Sequence, residues 1–323
     1  MTTTLDRRRL LIGAAASAAA GALGPVMIGA LAPRGAVIWG SSSASSHRGR
    51  EPEGRRSITI HGELTALGVP TVEHGYGGWQ SPEILAVRSA SHPLLPDFSA
   101  AAHDQLVSDS PEMVVPAADG ITPSVPSAFI PGSIDGAPVG MSAAEGRPGS
   151  LLLRRLGSEV PEAVRTVSGG AWVTDLEQRH RDDVHVLWMG LNNREDTRRV
   201  IEDTRAAFEV APDATLVMTH WRSFWNRRGS EASAQIQRIN EAYRTEYGER
   251  CLDTDAVLWD EHWWSLPEIA ELELGSRKDG PERRAQGLAP RPFVAEDTLH
   301  LNAYGNLVLA HALHERMESL GLI

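Results

Sequence analysis

Five short apolar runs constrain the fold of this chain more than any other feature. The clearest are residues 35–39, 184–189 and 214–218, each short enough to be one buried strand. Segments with helical periodicity separate the runs. Strands that alternate with helices form a parallel sheet with helices on both faces. The sequence therefore predicts an α/β fold with a parallel sheet.

The remaining elements of the predicted body follow the same alternation. Two further strands are expected at residues 70–74 and within residues 251–258. Ser81, Pro82 and Glu83 are typical of a helix start, with Ser81 as the N-cap and Pro82 in the first turn. The other helices are predicted at residues 59–67, 194–210, 231–247 and 301–320.

A long segment in the first half of the chain has a different composition. Residues 108–150 contain seven Pro and six Gly among Val, Ile and Thr, which favours short strands and turns. We therefore predict a β-rich insertion at residues 95–183, with strands that begin near Met113 and Ser150. Residues 275–295 are polar and contain Pro and Gly, so they are predicted to form a loop.

The N-terminal residues have the pattern of an export signal. Three arginines and two leucines, residues 7–11, precede an apolar segment rich in Ala and Gly that ends near Ala32. Paired arginines followed by leucines resemble a twin-arginine signal, so residues 1–32 are predicted to be cleaved and residues 33–323 to form the mature domain. The alternative is a membrane anchor formed by residues 10–32.

Charge and cysteine content exclude several classes of partner and site. The formal net charge of the chain is -11, which argues against nucleic acid as a partner and gives no attraction to anionic membranes. We expect no stable membrane insertion once the signal is removed. Cys251 is the single cysteine, which excludes an internal disulfide framework and a cysteine-rich metal site.

Polar or glycine-rich turns follow three of the predicted strands. Ser42 follows the first strand, Gly78 the second, and Asn192 the strand at residues 184–189. Ligands bind beyond the carboxyl ends of the strands in open α/β sheets. The loop that carries Asp297 and His300 comes after all the strands and can reach the same edge. The four segments are therefore expected to converge.

These residue types supply the parts of a nucleophilic hydrolase. A serine hydroxyl is a weak nucleophile until a base takes its proton, and His300 could do this for Ser42, with Asp297 orienting the imidazole. The N–H groups of Ser42 and Gly78 and the side-chain amide of Asn192 could hold an oxyanion. One such donor typically lowers the barrier by about 3 kcal/mol. No metal or organic cofactor is required.

The four blocks resemble those of the SGNH, or GDSL-like, hydrolases. In that family they contain a Gly-Asp-Ser serine, a glycine, a Gly-x-Asn-Asp asparagine and an Asp-x-x-His. The matching positions here are Ser42, Gly78, Asn192, and Asp297 with His300, in the same order over nearly all of residues 35–323 apart from the insertion. The resemblance implies a flavodoxin-like three-layer αβα fold and esterase or acylhydrolase activity.

Two positions depart from the pattern of the family. Ser41 replaces the usual Asp of the first block, which leaves Ser41 and Ser43 as rival nucleophiles to Ser42. That Asp is not the catalytic acid of the family. In the third block Asn193 replaces an Asp, while the oxyanion asparagine, Asn192, is kept.

Each signal is weak when taken alone. A second Asp-x-x-His, Asp182 with His185, has the same spacing, but it precedes a strand and should lie at the wrong end of the sheet. Asn192 alone would more often cap a helix or turn. His311 and His314 are spaced to bind a metal on the last helix, although a solvated helix face is the more common explanation. The order and placement of the four blocks together favour the functional interpretation.

Nine tryptophans are more than a chain of this length usually contains. Trp79, Trp221 and Trp225 lie near predicted strand ends or on nearby loops, where their rings could bind a sugar or an acyl chain. Packing in the core is an equally good explanation for them.

These observations predict a serine esterase that removes an O-acyl group, such as acetyl, from a carbohydrate or other polar ester. A lipase or thioesterase type of acylhydrolase is one alternative. An α/β-hydrolase is another, but its nucleophile usually follows several strands, whereas Ser42 follows the first. From a different class, a non-catalytic carbohydrate-binding or adhesion module would keep the tryptophans and lose the reactive serine.

Overall fold

The structure is a computed structural model. It describes residues 34–45, 58–91, 112–116, 130–134, 136–147, 149–156 and 172–323. The predicted export signal at residues 1–32, and therefore the alternative anchor, lies outside the described residues.

Ten strands are present in these ranges. They are β1 (Ala36–Gly40), β2 (Thr71–Gly75), β3 (Glu112–Pro116), β4 (Ile130–Ile134), β5 (Ala137–Ala143), β6 (Ser150–Arg155), β7 (Trp172–Thr174), β8 (Val184–Trp188), β9 (Thr215–Met218) and β10 (Cys251–Leu252).

The described ranges also contain ten α-helices. They are α1 (Ile60–Ala66), α2 (Ser81–Arg88), α3 (Leu176–Arg179), α4 (Thr197–Glu209), α5 (Glu231–Tyr247), α6 (Thr254–Leu258), α7 (Glu261–Trp264), α8 (Pro267–Ala270), α9 (Gly280–Ala285) and α10 (Ala303–Ser319). Within the described part of the chain, every helix is too short or too polar to cross a membrane.

Five of the strands form one parallel sheet in the order β10-β9-β8-β1-β2. When only these five are counted along the chain, the order is 2-1-3-4-5, which is the flavodoxin order. Gly40 pairs with Gly75 on one side and with Trp188 on the other, so β1, β2 and β8 end level with one another. We call this end the carboxyl edge of the sheet and the opposite end its amino edge.

The two faces of the parallel sheet pack into separate hydrophobic cores. Side chains alternate along β1, so Val37 and Trp39 contact one core and Ile38 contacts the other. The first core includes residues of α2, α4 and α5. The second includes residues of α1, α6 and α10. Helices therefore cover both faces, and the predicted three-layer α/β fold is confirmed.

The remaining strands form a second, antiparallel sheet in the order β3-β6-β5-β4-β7. Its five strands lie between residues 112 and 174, within the range where the composition predicts β structure. Its apolar side chains, among them Leu151 and Trp172, join the core that contains Trp39. The second sheet thus covers the same face of the parallel sheet as α2.

Three details of the sequence prediction are wrong. Gln80, not Ser81, is the N-cap of α2, because the Glu83 carboxylate accepts the Gln80 N–H (2.6 Å). The last strand is only two residues long, because the Asp253 side chain accepts the Ala256 N–H and begins α6 there. The predicted loop at residues 275–295 contains α9, which has Pro281 in its first turn.

Candidate active site

Ser42 lies on a tight turn at the carboxyl edge. The N–H groups of Ala44 and Ser45 both donate to the Ser41 carbonyl (3.0 and 3.2 Å), so the chain turns as soon as β1 ends. A Cβ atom on Gly40 would lie 2.4 Å from the Trp188 carbonyl oxygen, so only glycine fits there. Ser41 is buried in this turn, while Ser42 is partly exposed.

The Asp297–His300 segment is a tight loop just before α10. Its ends are held together by a hydrogen bond from the Ala295 N–H to the His300 carbonyl (2.8 Å). Within the loop, Asp297 Oδ1 accepts the N–H groups of Leu299 (2.8 Å) and His300 (3.0 Å). Thr298 has φ 59°, a left-handed conformation that is rare for a β-branched residue. The turn therefore brings the side chains of Asp297 and His300 to the same side of the loop.

The loop and the first turn meet through His300. Its Nδ1 lies 2.6 Å from Asp297 Oδ2, and its Nε2 lies 2.8 Å from Ser42 Oγ. An ionised carboxylate only accepts hydrogen bonds, so neutral His300 carries its proton on Nδ1 and Nε2 accepts the Ser42 hydroxyl proton. Among the described residues, Ser42 is the one of the three adjacent serines whose hydroxyl contacts this imidazole.

The environment of Asp297 favours its charged form. Burial acts to raise the pKa of this carboxyl, but hydrogen bonds from the His300 side chain and from the backbone N–H groups of His300 and Leu299 outweigh it. The pKa of Asp297 therefore lies below its usual range. The carboxylate stays ionised at neutral pH, as a partner for a histidine that gains a proton requires.

Gly78 lies on a turn that is tied to the same edge. The Trp79 N–H donates to the Tyr76 carbonyl (3.1 Å), and Gly78 has φ 80°, the conformation that a type II turn requires at its third residue. The Tyr76 N–H donates to the Gly40 carbonyl (3.1 Å). This turn is therefore fixed directly beside the residues that lead into Ser42.

Asn192 connects the turn after β8 to the turn after β2. Its side-chain Nδ2 donates one hydrogen bond to the Trp79 carbonyl (2.8 Å), which leaves the second N–H of the amide for another acceptor. Gly190, just before it, has φ 105°, and a Cβ there would lie 2.2 Å from Val200 Cγ1. The predicted site residues are thus brought to one edge by the turns after β1, β2 and β8 and by the last loop.

The neighbouring Asn193 has a structural contact that sequence reasoning did not find. Its Oδ1 accepts the Ser81 N–H (3.1 Å), and its Nδ2 donates to Ser81 Oγ (2.9 Å), which in turn donates to Asp203 (2.6 Å). This buried network joins the start of α2 to the turn after β8. Its signal in the sequence is a serine at a helix start, which we assigned only to capping.

The three tryptophans predicted to bind substrate differ in exposure. Trp79 and Trp221 are core residues, with 1% and 4% of their surface exposed, so packing in the core explains the presence of both. Trp225 is 69% exposed and lies in a short helical turn with Phe224 after β9. Trp225 is therefore the one of the three whose ring is open to a ligand.

The other predicted histidine pairs form neither a second serine site nor a metal site. His185 is buried in β8 and accepts a hydrogen bond from Trp39 Nε1 (3.1 Å) rather than pairing with Asp182. His311 and His314 each face a glutamate, Glu63 and Glu318 respectively. Within the described ranges, no group of three or more His, Cys, Asp or Glu side chains could hold a metal ion.

Comparisons with known proteins find similarity at the level of structure. No protein-family model matches the chain, and no curated protein matches it. A lipase/acylhydrolase from Enterococcus faecalis aligns over 88% of this chain and 96% of its own, with 10% identity and a TM-score of 0.42. A protein described as a GDSL-like lipase from Parabacteroides merdae aligns over 91% and 98%, with 12% identity and a TM-score of 0.37.

At these values no residue role carries over to this chain from the matched structures. The chain is similar to GDSL-like hydrolases in its four sequence blocks and in the solved structures it matches.

Proposed function

We propose that the protein is a serine ester hydrolase that forms an acyl-enzyme on Ser42. One observation carries this proposal. Asp297 Oδ2, the His300 imidazole and Ser42 Oγ form a continuous chain of hydrogen bonds, with contacts of 2.6 and 2.8 Å. These hydrogen bonds join residues that are 258 positions apart in the sequence. They lie at the edge of the sheet where ligands bind in this architecture.

The proposed reaction begins when Ser42 Oγ attacks the carbonyl carbon of the ester. Its proton passes to His300 Nε2, and Asp297 stabilises the imidazolium that forms. The imidazolium then protonates the departing alcohol, which leaves the acyl group on Ser42. His300 next removes a proton from water, the hydroxide attacks the acyl carbon, and the carboxylic acid and free Ser42 are released.

We assign three donors to the oxyanion of each tetrahedral intermediate. The free N–H of the Asn192 amide is one, because Trp79 holds the amide by its other hydrogen. The backbone N–H groups of Ser42 and Gly78 are the others, and among the described residues neither donates to another group. Removal of one such donor typically lowers kcat by about 10²–10³-fold.

The proposed substrate is an O-acyl ester of a carbohydrate or another polar alcohol, with acetyl as the first acyl group to test. The exposed rings of Phe224 and Trp225 follow the carboxyl end of β9, and the Arg227 guanidinium lies 5.4 Å above the Phe224 ring. An aromatic surface beside a cation suits a polar ring better than a long alkyl chain. A lipid or thioester substrate is the alternative, and it would favour p-nitrophenyl esters with long chains over acetylated sugars.

The decisive experiment replaces Ser42 by Ala and measures hydrolysis of p-nitrophenyl acetate. We expect kcat/KM to fall by at least about 10³-fold while the thermal transition is kept. Ser43→Ala is the matched control, since it removes a hydroxyl one residue away, and it should stay within a few-fold of wild type. A folded Ser42→Ala protein with wild-type activity would show that another residue is the nucleophile.

A fluorophosphonate probe distinguishes the enzyme from a non-catalytic binding module. The probe reacts only with an activated serine, so wild type should be labelled and Ser42→Ala should not. A binding module would remain unlabelled in both forms. Acetylated sugars should then be compared with long-chain p-nitrophenyl esters, and Trp225→Ala should raise KM for the sugar esters more than it lowers kcat.

A further inference from the structure

The turn that carries Asn192 begins with a peptide group that its glycine leaves free to rotate. Met189 is the first residue after β8, and Gly190 follows it with φ 105°. Glycine adopts positive and negative φ about equally well, so residue 190 does not by itself fix the plane of the Met189–Gly190 peptide. That plane sets the direction in which the chain continues to Asn192, so a contact from outside the turn must hold it.

His220, which follows β9, makes such a contact. Its Nε2 lies 2.9 Å from the carbonyl oxygen of Met189, and both residues are buried. A carbonyl oxygen only accepts hydrogen bonds, so Nε2 carries a proton and donates it. Burial is the main reason that the pKa of His220 is lowered to about 4. The imidazole is therefore neutral at pH 7, with Nε2 as its one protonated nitrogen.

The backbone of His220 is itself held by helix α5. Asn240 accepts the His220 N–H through Oδ1 (2.8 Å) and donates from Nδ2 to the His220 carbonyl (2.7 Å). These two hydrogen bonds pair the backbone of residue 220 beyond Met218, the last residue of β9. The imidazole therefore reaches the turn after β8 from a fixed backbone.

Tyr243 of α5 is a second and weaker donor to the same carbonyl. Its hydroxyl lies 3.2 Å from the Met189 oxygen and only 2.7 Å from Thr204 Oγ1. The longer distance is beyond the usual range of about 2.5–3.0 Å for a hydrogen bond between a hydroxyl and an oxygen. The hydroxyl has one proton and faces two oxygens. His220 therefore supplies the stronger hydrogen bond to this carbonyl.

The Asn192 amide cannot compensate for a shift of the turn. One of its two N–H groups is bonded to the Trp79 carbonyl (2.8 Å), so only the other can reach an oxyanion. An oxyanion donor acts at about 2.7–3.1 Å from the oxygen that it stabilises. A misplacement of about 1 Å can lower a rate by about 10²-fold. The orientation of this amide therefore depends on the backbone that precedes it.

We propose that His220 is a positioning residue, which holds the Met189 carbonyl and thereby fixes the turn that orients the Asn192 amide toward the oxyanion. His220 takes no part in the proton transfers, which belong to His300. The inference rests on the proposed function, in which Asn192 is an oxyanion donor.

The first test compares substitutions of His220 in the hydrolysis of p-nitrophenyl acetate. His220→Phe keeps a ring and removes the donor, so kcat should fall at least about tenfold while KM stays within about twofold, because the oxyanion exists only after attack. His220→Gln keeps an N–H that can reach the Met189 carbonyl and should recover most of the loss. His185→Phe is the matched control, since it removes another buried, hydrogen-bonded imidazole, and it should lower the Tm without lowering kcat.

A double-mutant cycle shows whether the effect passes through Asn192. In an Asn192→Ala background there is no amide to orient, so His220→Phe should change kcat by less than about twofold. Losses that multiply in the double variant would show that His220 supports the fold in general, and they would overturn the inference.

Two NMR measurements do not depend on activity. In wild type, the nitrogen signals of the His220 imidazole should show a neutral ring protonated at Nε2 at pH 7, and a proton on Nδ1 alone would overturn the inference even if His220→Phe does not fold. In folded His220→Phe the signals of the Asn192 side-chain amide should shift, whereas in His185→Phe they should not. Unshifted signals would also overturn the inference. If they shift while Ser42→Ala stays fully active, the proposed nucleophile is wrong and the control of the amide by His220 is retained.

Discussion

The chain contains two Asp-x-x-His segments, and the structure uses them in opposite ways. At residues 297–300 the aspartate binds the imidazole and the imidazole contacts a serine. At residues 182–185 the histidine is buried in a strand and accepts a hydrogen bond from an indole. The spacing is the same, so spacing alone does not create the pair.

The difference comes from the backbone between the two residues. In the later segment, Thr298 adopts φ 59° and the loop returns on itself, which places the carboxylate against the imidazole. In the earlier segment, the chain enters β8, where successive side chains point to opposite faces. Nearby, His180 does contact a carboxylate, that of Asp183 (2.8 Å), but its other nitrogen contacts His74 rather than a hydroxyl. A histidine can act as the base of a serine hydrolase only where the turn, the carboxylate and the serine occur together.

The largest expected effect comes from removing the histidine of the later segment. His300→Gln should lower kcat/KM for p-nitrophenyl acetate by at least about 10³-fold, because no other base contacts Ser42 Oγ in the described structure. His180→Gln is the matched control, since it removes an imidazole that is also paired with an aspartate. Steady-state kinetics on both variants is the measurement. An equal loss of activity in His180→Gln would contradict the assignment of His300 as the base.

The next effect concerns the carboxylate. Asp297→Asn should lower kcat by about 10²–10⁴-fold, because an amide facing His300 Nδ1 favours the tautomer whose Nε2 is protonated and cannot accept from Ser42. The asparagine oxygen can still accept the two backbone N–H groups, so the loop should keep its fold. Asp182→Asn, its counterpart in the earlier segment, should leave kcat unchanged. Equal losses in both variants would contradict the assignment.

Acid should reduce the contribution of Asp297 to stability. Its pKa is lower in the folded protein than the ordinary value of about 3.9, so its stabilising effect is fully present above that value. The effect is lost as the pH falls through the folded pKa. The Tm of wild type should therefore exceed that of Asp297→Asn by a constant small amount from pH 7 to about pH 5, and the gap should close below about pH 4. A difference in Tm that widens in acid would show that folding does not lower the pKa of Asp297.

The smallest effect is expected from the strained residue of the loop. Thr298→Gly relieves a left-handed conformation and should stabilise the protein by at most about 1 kcal/mol, since glycine also gains freedom in the unfolded chain. Glu273, with φ 47°, is the matched second position, and Glu273→Gly should give a similar gain. Urea unfolding measures both. Destabilisation by Thr298→Gly alone would show that its side chain holds the loop.

The sequence predicted the body of the fold well, because its signals there are local. The helix predicted at residues 231–247 has the bounds of α5, and in the structure the Ser230 side chain caps it by accepting the Ser233 N–H. The wrong predictions lie where a distant contact or a single cap decides the structure, such as the two-residue β10. The order 2-1-3-4-5 was implied by the family resemblance and not by periodicity.

The placement of the site residues was predictable for a related reason. Parallel strands end at a common edge, so the positions of Ser42, Gly78 and Asn192 follow from the strand ends alone. The buried contacts that Ser81 makes with Asn193 and Asp203 were not predictable in this way. They depend on which side chains the packing of α2 beside the turn after β8 brings together, and only the folded structure shows that.

The topology also fixes where the second sheet joins the body. Helix α2 starts after the turn at the carboxyl edge and runs back, and β8 starts from the amino edge, so the end of α2 and the start of β8 lie at the edge opposite Ser42. In engineering terms, the strands β3 to β7 form an exchangeable module: replacing them alters the Trp39 face of the body and leaves in place the turns that hold the serine, the histidine and the asparagine.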